Sequence, residues 1–549
     1  MLRILRRWHP LAMAACLCWL LGALPANADP GHPSRLVDAA WLQQHQADVL
    51  VLDASVTPQH RAGHIPGAVS ADLYRYGPNE PTRAAMEQRL QSWGVSPGRR
   101  IVVYDQGADM MAARLFYDLY YNGVPADDLF VLDGGLAGWR AHGGAVTQEP
   151  TPAPAPGSYR ITAVREEVRS RLPEFLVASG DPGANALVEA LEPNSHFGAT
   201  KFFDRAGHVP NAILLPHADF FNADKTFKSA DEIRRLARYV GIRPDQVVHS
   251  HCGGGVAAAV PWFALRFIAE QPKVKLYLES QREWLRDERG LPLWTYDAPQ
   301  LERAPAWLAG WNAPMLRMFG AAQMNLIDVR SPEKYAQGHV PFALNIGADT
   351  FRAHLGRPEE LAALLGPAGV NPAYEVVVMA ESGLTPGAAL AFLAFEQLGH
   401  QKVSVLMDSV DEWGLRGSEL TRQATAVGAP KSPKDIAVPA ATYAARPRTG
   451  LIVADPKGTR GEYPKVFVAS GKAVPALLPE GPVVRLPYTE LLKADGTPRP
   501  AAELWTIMSK AGVPRYAEIV LFADDAAEAA VNYYVFRLMG WPDVKVWVN

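Results

Sequence analysis

The chain has 549 residues, more than one hydrophobic core can organise, because cores stop growing near about 250–300 residues. A content of 48% hydrophobic, 20% charged and 9% aromatic residues excludes wholesale disorder and fibrous architecture. The formal charge of −3 leaves no basic surplus with which to hold nucleic acid.

At the N-terminus Arg3, Arg6 and Arg7 precede an apolar run over residues 11–24 and an Ala26-Asn27-Ala28 cleavage pattern. Residues 1–28 are therefore expected to be a signal peptide cut after Ala28, which predicts export and a periplasmic location. The alternative of an acylated Cys16 would leave a very short apolar region before the cysteine. The apolar run is short for a bilayer span of about 20 residues, and no later stretch is long and uncharged enough, so no integral membrane segment is expected in the mature chain. Cleavage leaves 51 basic against 57 acidic residues, a formal charge of −6. Of the cysteines, Cys16 and Cys18 leave with the leader and Cys252 stays, so the mature chain cannot form an internal disulfide.

A repeat follows. A strand-like run ending in an acid precedes a Gly-His-(Ile/Val)-Pro turn three times: residues 49–53 before 63–66, 187–189 before 207–210, and 326–328 before 338–341. Successive turns lie 144 and 131 residues apart, so each unit has the size of a domain. Each unit continues with a β-rich run, a short loop and an Ala-rich helical stretch: residues 101–104 before Asp105, 247–251 before Cys252, and 376–381 before Ser382. Each closes on another strand-like run and a tryptophan, Trp139, Trp284 or Trp413, which we read as core anchors. The alternation predicts α/β domains with parallel sheets. Residues 449–549 read as a degraded fourth copy without the Gly-His turn, and Pro/Ala-rich stretches over 147–158, 295–314 and 417–448 read as linkers.

These features resemble the rhodanese (sulfurtransferase) family: the early acid, the turn at residues 63–68, and a hydrophobic strand feeding a loop that begins with the nucleophile. The resemblance is strong over residues 35–416 and weak over 449–549. It implies tandem rhodanese-like three-layer α/β/α domains with mainly parallel sheets, at 35–146, 159–294, 315–416 and 449–549. It implies transfer of sulfane sulfur from a small anionic donor, such as thiosulfate or 3-mercaptopyruvate, through a cysteine persulfide to a thiol, cyanide-like or protein acceptor. No cofactor or metal is implied. Matched residue by residue, only the second unit keeps the cysteine, Cys252, with Asp105, Ser382 and Asp524 or Asp525 at the corresponding places.

A strand–loop–helix junction aims backbone N–H groups inward, and a helix N-terminus adds positive potential. Gly253, Gly254, Gly255, Val256 and Ala257 are accordingly expected to cradle the sulfur, stabilising a thiolate and then a persulfide. His249 and His251 on the strand, Arg205 before the turn and His208 within it are candidates for binding the donor or tuning the thiol. The turn histidines His64, His208 and His339 recur in units without cysteine, which favours a structural role for them. Two departures bear on donor choice: the loop lacks the basic or hydroxyl residues usual in the family, and Glu189-Ala190-Leu191 replaces its early Asp-x-Arg. His251-Cys252 also opens the phosphatase pattern His-Cys-x5-Arg, but Ala258 stands where that arginine is required. Ser382 lacks the partners of a hydrolase. The alternative to an enzyme is a non-catalytic scaffold or sulfur relay that binds protein partners.

Overall fold

The computed structural model describes residues 34–548 apart from residues 78, 430, 431, 433 and 434. The expected signal peptide, with Cys16 and Cys18, lies outside the described residues. Among those described, no helix is long and apolar enough to cross a membrane.

Four five-stranded sheets follow one another along the chain, and in each the unit's own strands lie in the order 1-5-4-2-3, all parallel. The central strands read as continuous apolar runs, such as Ile101–Tyr104 and Glu518–Phe522, because both of their faces are covered by helices. The α/β class is thus as the alternation predicts. The fourth sheet, Ile452–Val453 to Val544–Trp547, has the same strand order as the other three although its unit lacks the Gly-His turn.

The units are joined in pairs. The helix Met111–Tyr121 of the first unit is buried at every position, and it packs on Ala259–Phe263 of the second, so that one hydrophobic core runs through both units. Phe116, Tyr117, Tyr120, Trp262 and Phe263 interlock there by edge and tilted ring contacts. Units three and four share a second core built on Pro386–Gln397 and Ala526–Leu538. Such a double-sided seam buries these helices on nearly every side, and the charged Arg114 and Asp118 of the first are accommodated by pairing with each other at 3.1 Å. The pairs meet where Tyr239 Oη donates to the Ala517 carbonyl at 2.9 Å and Trp505 Nε1 donates to Asn194 Oδ1 at 3.0 Å.

Of the stretches expected to be linkers, 147–158 and 417–448 instead pack back on the preceding unit, whereas 295–314 opens the third unit, supplying its first strand Glu302–Arg303 and the helix Pro305–Trp311. Thr147, Trp294 and Thr421 each form an antiparallel bridge with the turn histidine of their unit, His64, His208 and His339. Tyr159 and Ile161 are buried in the first core. Proline and alanine suit these extended returns as well as they suit a free tether.

Candidate functional site

Cys252 follows the strand Val247–His251, which lies beside Asn185–Glu189 in the middle of its sheet. The third strand leaves on one side of the second and the fourth returns on the other, so the carboxyl ends of these two strands border a topological switch point, the place where open α/β sheets bind ligands. Cys252 is 3% exposed. Gly255 N–H donates to Cys252 Sγ at 3.0 Å. Gly255 has φ +81°, and a Cβ there would lie 2.0 Å from the Leu278 carbonyl oxygen, so only glycine allows this approach. Cys252 N–H donates to Ser280 Oγ at 3.1 Å, and the Cys252 and Gly253 carbonyls accept from Gln281 and Arg282 N–H, both at 3.0 Å. Gly254 is half-buried and would meet nothing within 4 Å through a Cβ, which makes it the open side of the loop.

The remaining cradle residues act differently from the expectation. The helix begins at Ala259. The Val256 and Ala257 carbonyls accept from Ala259 and Val260 N–H at 3.1 Å each and start that helix. Gly253 is covered by Phe202, whose ring would lie 2.1 Å from a Cβ at that position.

His249 and His251 do not reach the cysteine. Both rings turn to the face of the sheet lined by Phe175, because alternate residues of a strand share a face, whereas Cys252 belongs to the core between the units. Burial holds both well down, at about 4, so neither supplies an imidazolium. His249 is tied to Ser170 Oγ at 2.6 Å and to Asn185 Oδ1 at 3.1 Å. Arg205 is exposed on the segment before Gly207.

His208 bonds the His196 carbonyl through Nδ1 at 2.8 Å, the bond that His64 and His339 make to His60 and Tyr335. This shared bond is the structural role of the turn histidines. His196 lies between Glu189 Oε2 and Asp297 Oδ1, and against the opposing effect of burial these two carboxylates raise it to about 9. His208 stacks on it with centroids 3.7 Å apart and planes 5° apart, while burial and the neighbouring charge hold His208 near 4. His196, His208 and Asp297 bring their ligand atoms within 4.8 Å of one another, and His208 Nε2 lies 3.5 Å from the Asp297 Oδ1 that His196 bonds. Gln281 links this network to the loop, its side chain donating to Glu189 Oε1 and its backbone N–H to the Cys252 carbonyl. A cavity of about 310 Å³ lined by Asp297, Trp505 and Arg515 lies between units two and four, apart from the cysteine loop.

Strand register identifies what stands at the cysteine's place in the other units. The carbonyl of the preceding residue accepts from Ala54, Ala190, Val329 and Ser470 N–H in turn, which aligns Asp105, Cys252, Ala380 and Ala523. Ser382 and Asp524 are therefore not the counterparts: the third unit's strand runs on through Ala380, and the fourth unit's loop is shorter. In the first unit Asp105 caps its own loop, accepting from Gly107 N–H at 2.8 Å and Ala112 N–H at 2.9 Å.

Three residues next to the cysteine were not singled out in the sequence: Ser280, Phe202 and Arg114. Arg114, on the first unit's buried helix, is 1% exposed, pairs with Asp118 at 3.1 Å and points an NH group at the Gly255 carbonyl at 3.5 Å. Ser280 alone had a signal, since it precedes Trp284 by the interval that separates Gly135 from Trp139.

The Rhodanese-like domain family matches residues 37–142 and 313–415, the first and third units. The sulfur carrier protein TtuD of Thermus thermophilus is 31% identical over 275 residues, 46% of this chain and 94% of that protein. A probable 3-mercaptopyruvate sulfurtransferase of Pseudomonas aeruginosa is 30% identical over 271 residues, 44% of this chain and 92% of that protein. The crystal structure of SseA from Escherichia coli, a 3-mercaptopyruvate sulfurtransferase, is 27% identical with a TM-score of 0.41, covering 45% of this chain and 98% of that one. Parallel α/β units with such relatives define a sulfur-transfer protein. The chain belongs to the rhodanese family and is a rhodanese-type sulfurtransferase.

Proposed function

We propose that the chain moves sulfane sulfur in the periplasm through a persulfide on Cys252. The observation that carries this is the placement of that thiol: the carboxyl end of a central strand, an N–H on its sulfur at 3.0 Å, and an open flank at Gly254. With thiosulfate, the Cys252 thiolate attacks the outer sulfur, an S–S bond forms, and the donor's S–S bond breaks as sulfite leaves with the electron pair. With 3-mercaptopyruvate the C–S bond breaks instead, and the carbon takes the electron pair and a proton to give pyruvate. An acceptor thiolate, a cyanide-like anion or a protein thiol then removes the outer sulfur and restores the Cys252 thiolate. The donors are small anions, to which a loop presenting backbone N–H groups is suited. The names of the relatives, a sulfur carrier and 3-mercaptopyruvate sulfurtransferases, favour the same chemistry. The leader pattern of residues 1–28 supports the periplasmic location.

The test is the intact mass of mature protein after incubation with thiosulfate and, separately, 3-mercaptopyruvate. The expected result is a gain of one sulfur, about 32 Da, that is lost on reduction and absent in Cys252→Ser. No adduct from a reduced thiol with either donor would instead favour a binding scaffold.

A further inference from the structure

Ser280 lies just past the strand Val274–Tyr277, and its φ of +53° puts a residue with a side chain in the left-handed region. Its counterpart in the first unit is Gly135, at φ +56°. The register fixes that match, because Leu36 faces Val131 as Arg169 faces Leu276. Glycine takes this conformation freely, whereas serine holds it only under constraint from its surroundings, a kind of strain that collects at functional sites. The unit with aspartate at the loop start has the relaxed residue, and the unit with cysteine has the strained one.

What the strain secures is a buried hydroxyl beside the sulfur. Ser280 Oγ accepts from Cys252 N–H at 3.1 Å, donates to the Tyr277 carbonyl at 2.7 Å, and lies 4.0 Å from Cys252 Sγ. The residue is fully buried, so water does not compete for that hydroxyl. A hydroxyl has one proton and can turn it between two acceptors, and a charged sulfur is a stronger acceptor than a neutral thiol.

We propose that Ser280 is a further catalytic residue. When Cys252 is charged, first as thiolate and then as persulfide, the Ser280 hydroxyl turns from the Tyr277 carbonyl to the sulfur and joins the Gly255 N–H there. One hydrogen bond is exchanged for another, and no atom or electron is transferred. The proposal rests on Cys252 as the sulfur carrier and adds a donor to that site.

The test compares Ser280→Ala, which keeps the backbone strain and removes the hydroxyl, with Ser280→Gly, which removes both. Three quantities are read on the mature protein: the single-turnover rate of persulfide formation with thiosulfate, the rate of Cys252 alkylation by iodoacetamide, and the melting temperature. Both variants are expected to slow persulfide formation about tenfold or more, the scale for losing one donor to a developing charge, with little change in half-saturating thiosulfate. Both should slow alkylation by a similar factor, while Ser280→Gly, relieved of the strain, melts higher than Ser280→Ala, both variants having lost the acceptor of the buried Cys252 N–H. A merely structural role predicts instead that the rate follows stability, with Ser280→Ala slowed more than Ser280→Gly. Wild-type rates in both variants overturn the proposal, and so does slowing in Ser280→Gly alone, which would assign the effect to the backbone. If the wild type forms no persulfide but alkylation slows in both variants, the sulfur-carrier reading fails and the role of Ser280 toward the thiol stands.

Discussion

The loops that start at Asp105 and at Cys252 hold the same place in neighbouring units and end in opposite states. In the first, a carboxylate reaches two N–H groups of its own loop and closes it. In the second, the shorter cysteine side chain receives one N–H on its sulfur, and Gly254 leaves a flank open. The same turn therefore closes on a built-in carboxyl group in one unit and, on the proposed function, holds a sulfur that becomes an anion in the other. The first unit still serves that site, since its buried helix closes the core beneath the loop and brings Arg114 to the Gly255 carbonyl.

The strongest way to break this comparison is Cys252→Asp, which writes the first loop's residue into the second. Persulfide formation should vanish with either donor, and the melting temperature should hold at acid pH and fall as pH rises, because a buried carboxyl group can take up the N–H groups of such a turn yet costs stability once it ionises. Intact mass and a thermal melt read both; residual Cys252-independent adduct would place the chemistry elsewhere.

Next in size is the pH dependence that the built-in carboxylate imposes. Burial, followed by the neighbouring Asp109, raises Asp105 from 3.8 to about 7 against the pull of its two N–H bonds. A carboxyl group raised in the fold binds its proton more tightly folded than unfolded, so it costs stability as pH rises from about 4 to about 7, by at most about 1.4 kcal/mol for each pH unit crossed. Asp105→Asn cannot titrate, and its unfolding free energy, followed by denaturant titration, should be flatter across that window. The Glu189–His196–Asp297 network works at higher pH. His196 is raised from 6.5 to about 9, so its contribution is complete below about 6.5 and is lost as pH climbs toward 9. Asp297→Asn should lose stability below pH 7 and show less of that alkaline decline. Equal slopes for variant and wild type between pH 7 and 9 would remove the charge from this network.

The repeat, the α/β class and the strand that feeds Cys252 were legible because each has a local signature: apolar runs, glycine turns, and a triple recurrence. The side chains around the sulfur were not. His251 is adjacent to Cys252 in sequence, yet strand alternation sends its ring to the opposite face. Ser382 looked equivalent to the cysteine because a strand's end cannot be read to one residue from an apolar run, and the third unit's strand extends through Ala380. Arg114 and Phe202 reach the loop across long sequence separations, which no local pattern encodes. The returns over 147–158 and 417–448 carry a linker's composition, and only their bridges to His64 and His339 show that they belong to the units they leave.

The finest test compares two glycines of one loop. At Gly255 a methyl group would enter the space of the Leu278 carbonyl oxygen, 2.0 Å away, and would also meet the left-handed backbone at φ +81°. Gly255→Ala should therefore displace the N–H from the sulfur, slowing persulfide formation and costing about 1–3 kcal/mol of stability. At Gly254 the same methyl group would point into open space, and the backbone there is not left-handed. Gly254→Ala should change stability by no more than about 0.5 kcal/mol, in keeping with a half-buried position whose Cβ would meet nothing within 4 Å. On the proposed function that flank is the donor's approach, so any effect should appear in the half-saturating donor concentration rather than in the rate at saturation. A fall in the saturated rate for Gly254→Ala as large as that for Gly255→Ala would mean that the whole loop, and not the Gly255 N–H, sets the reactivity of the sulfur.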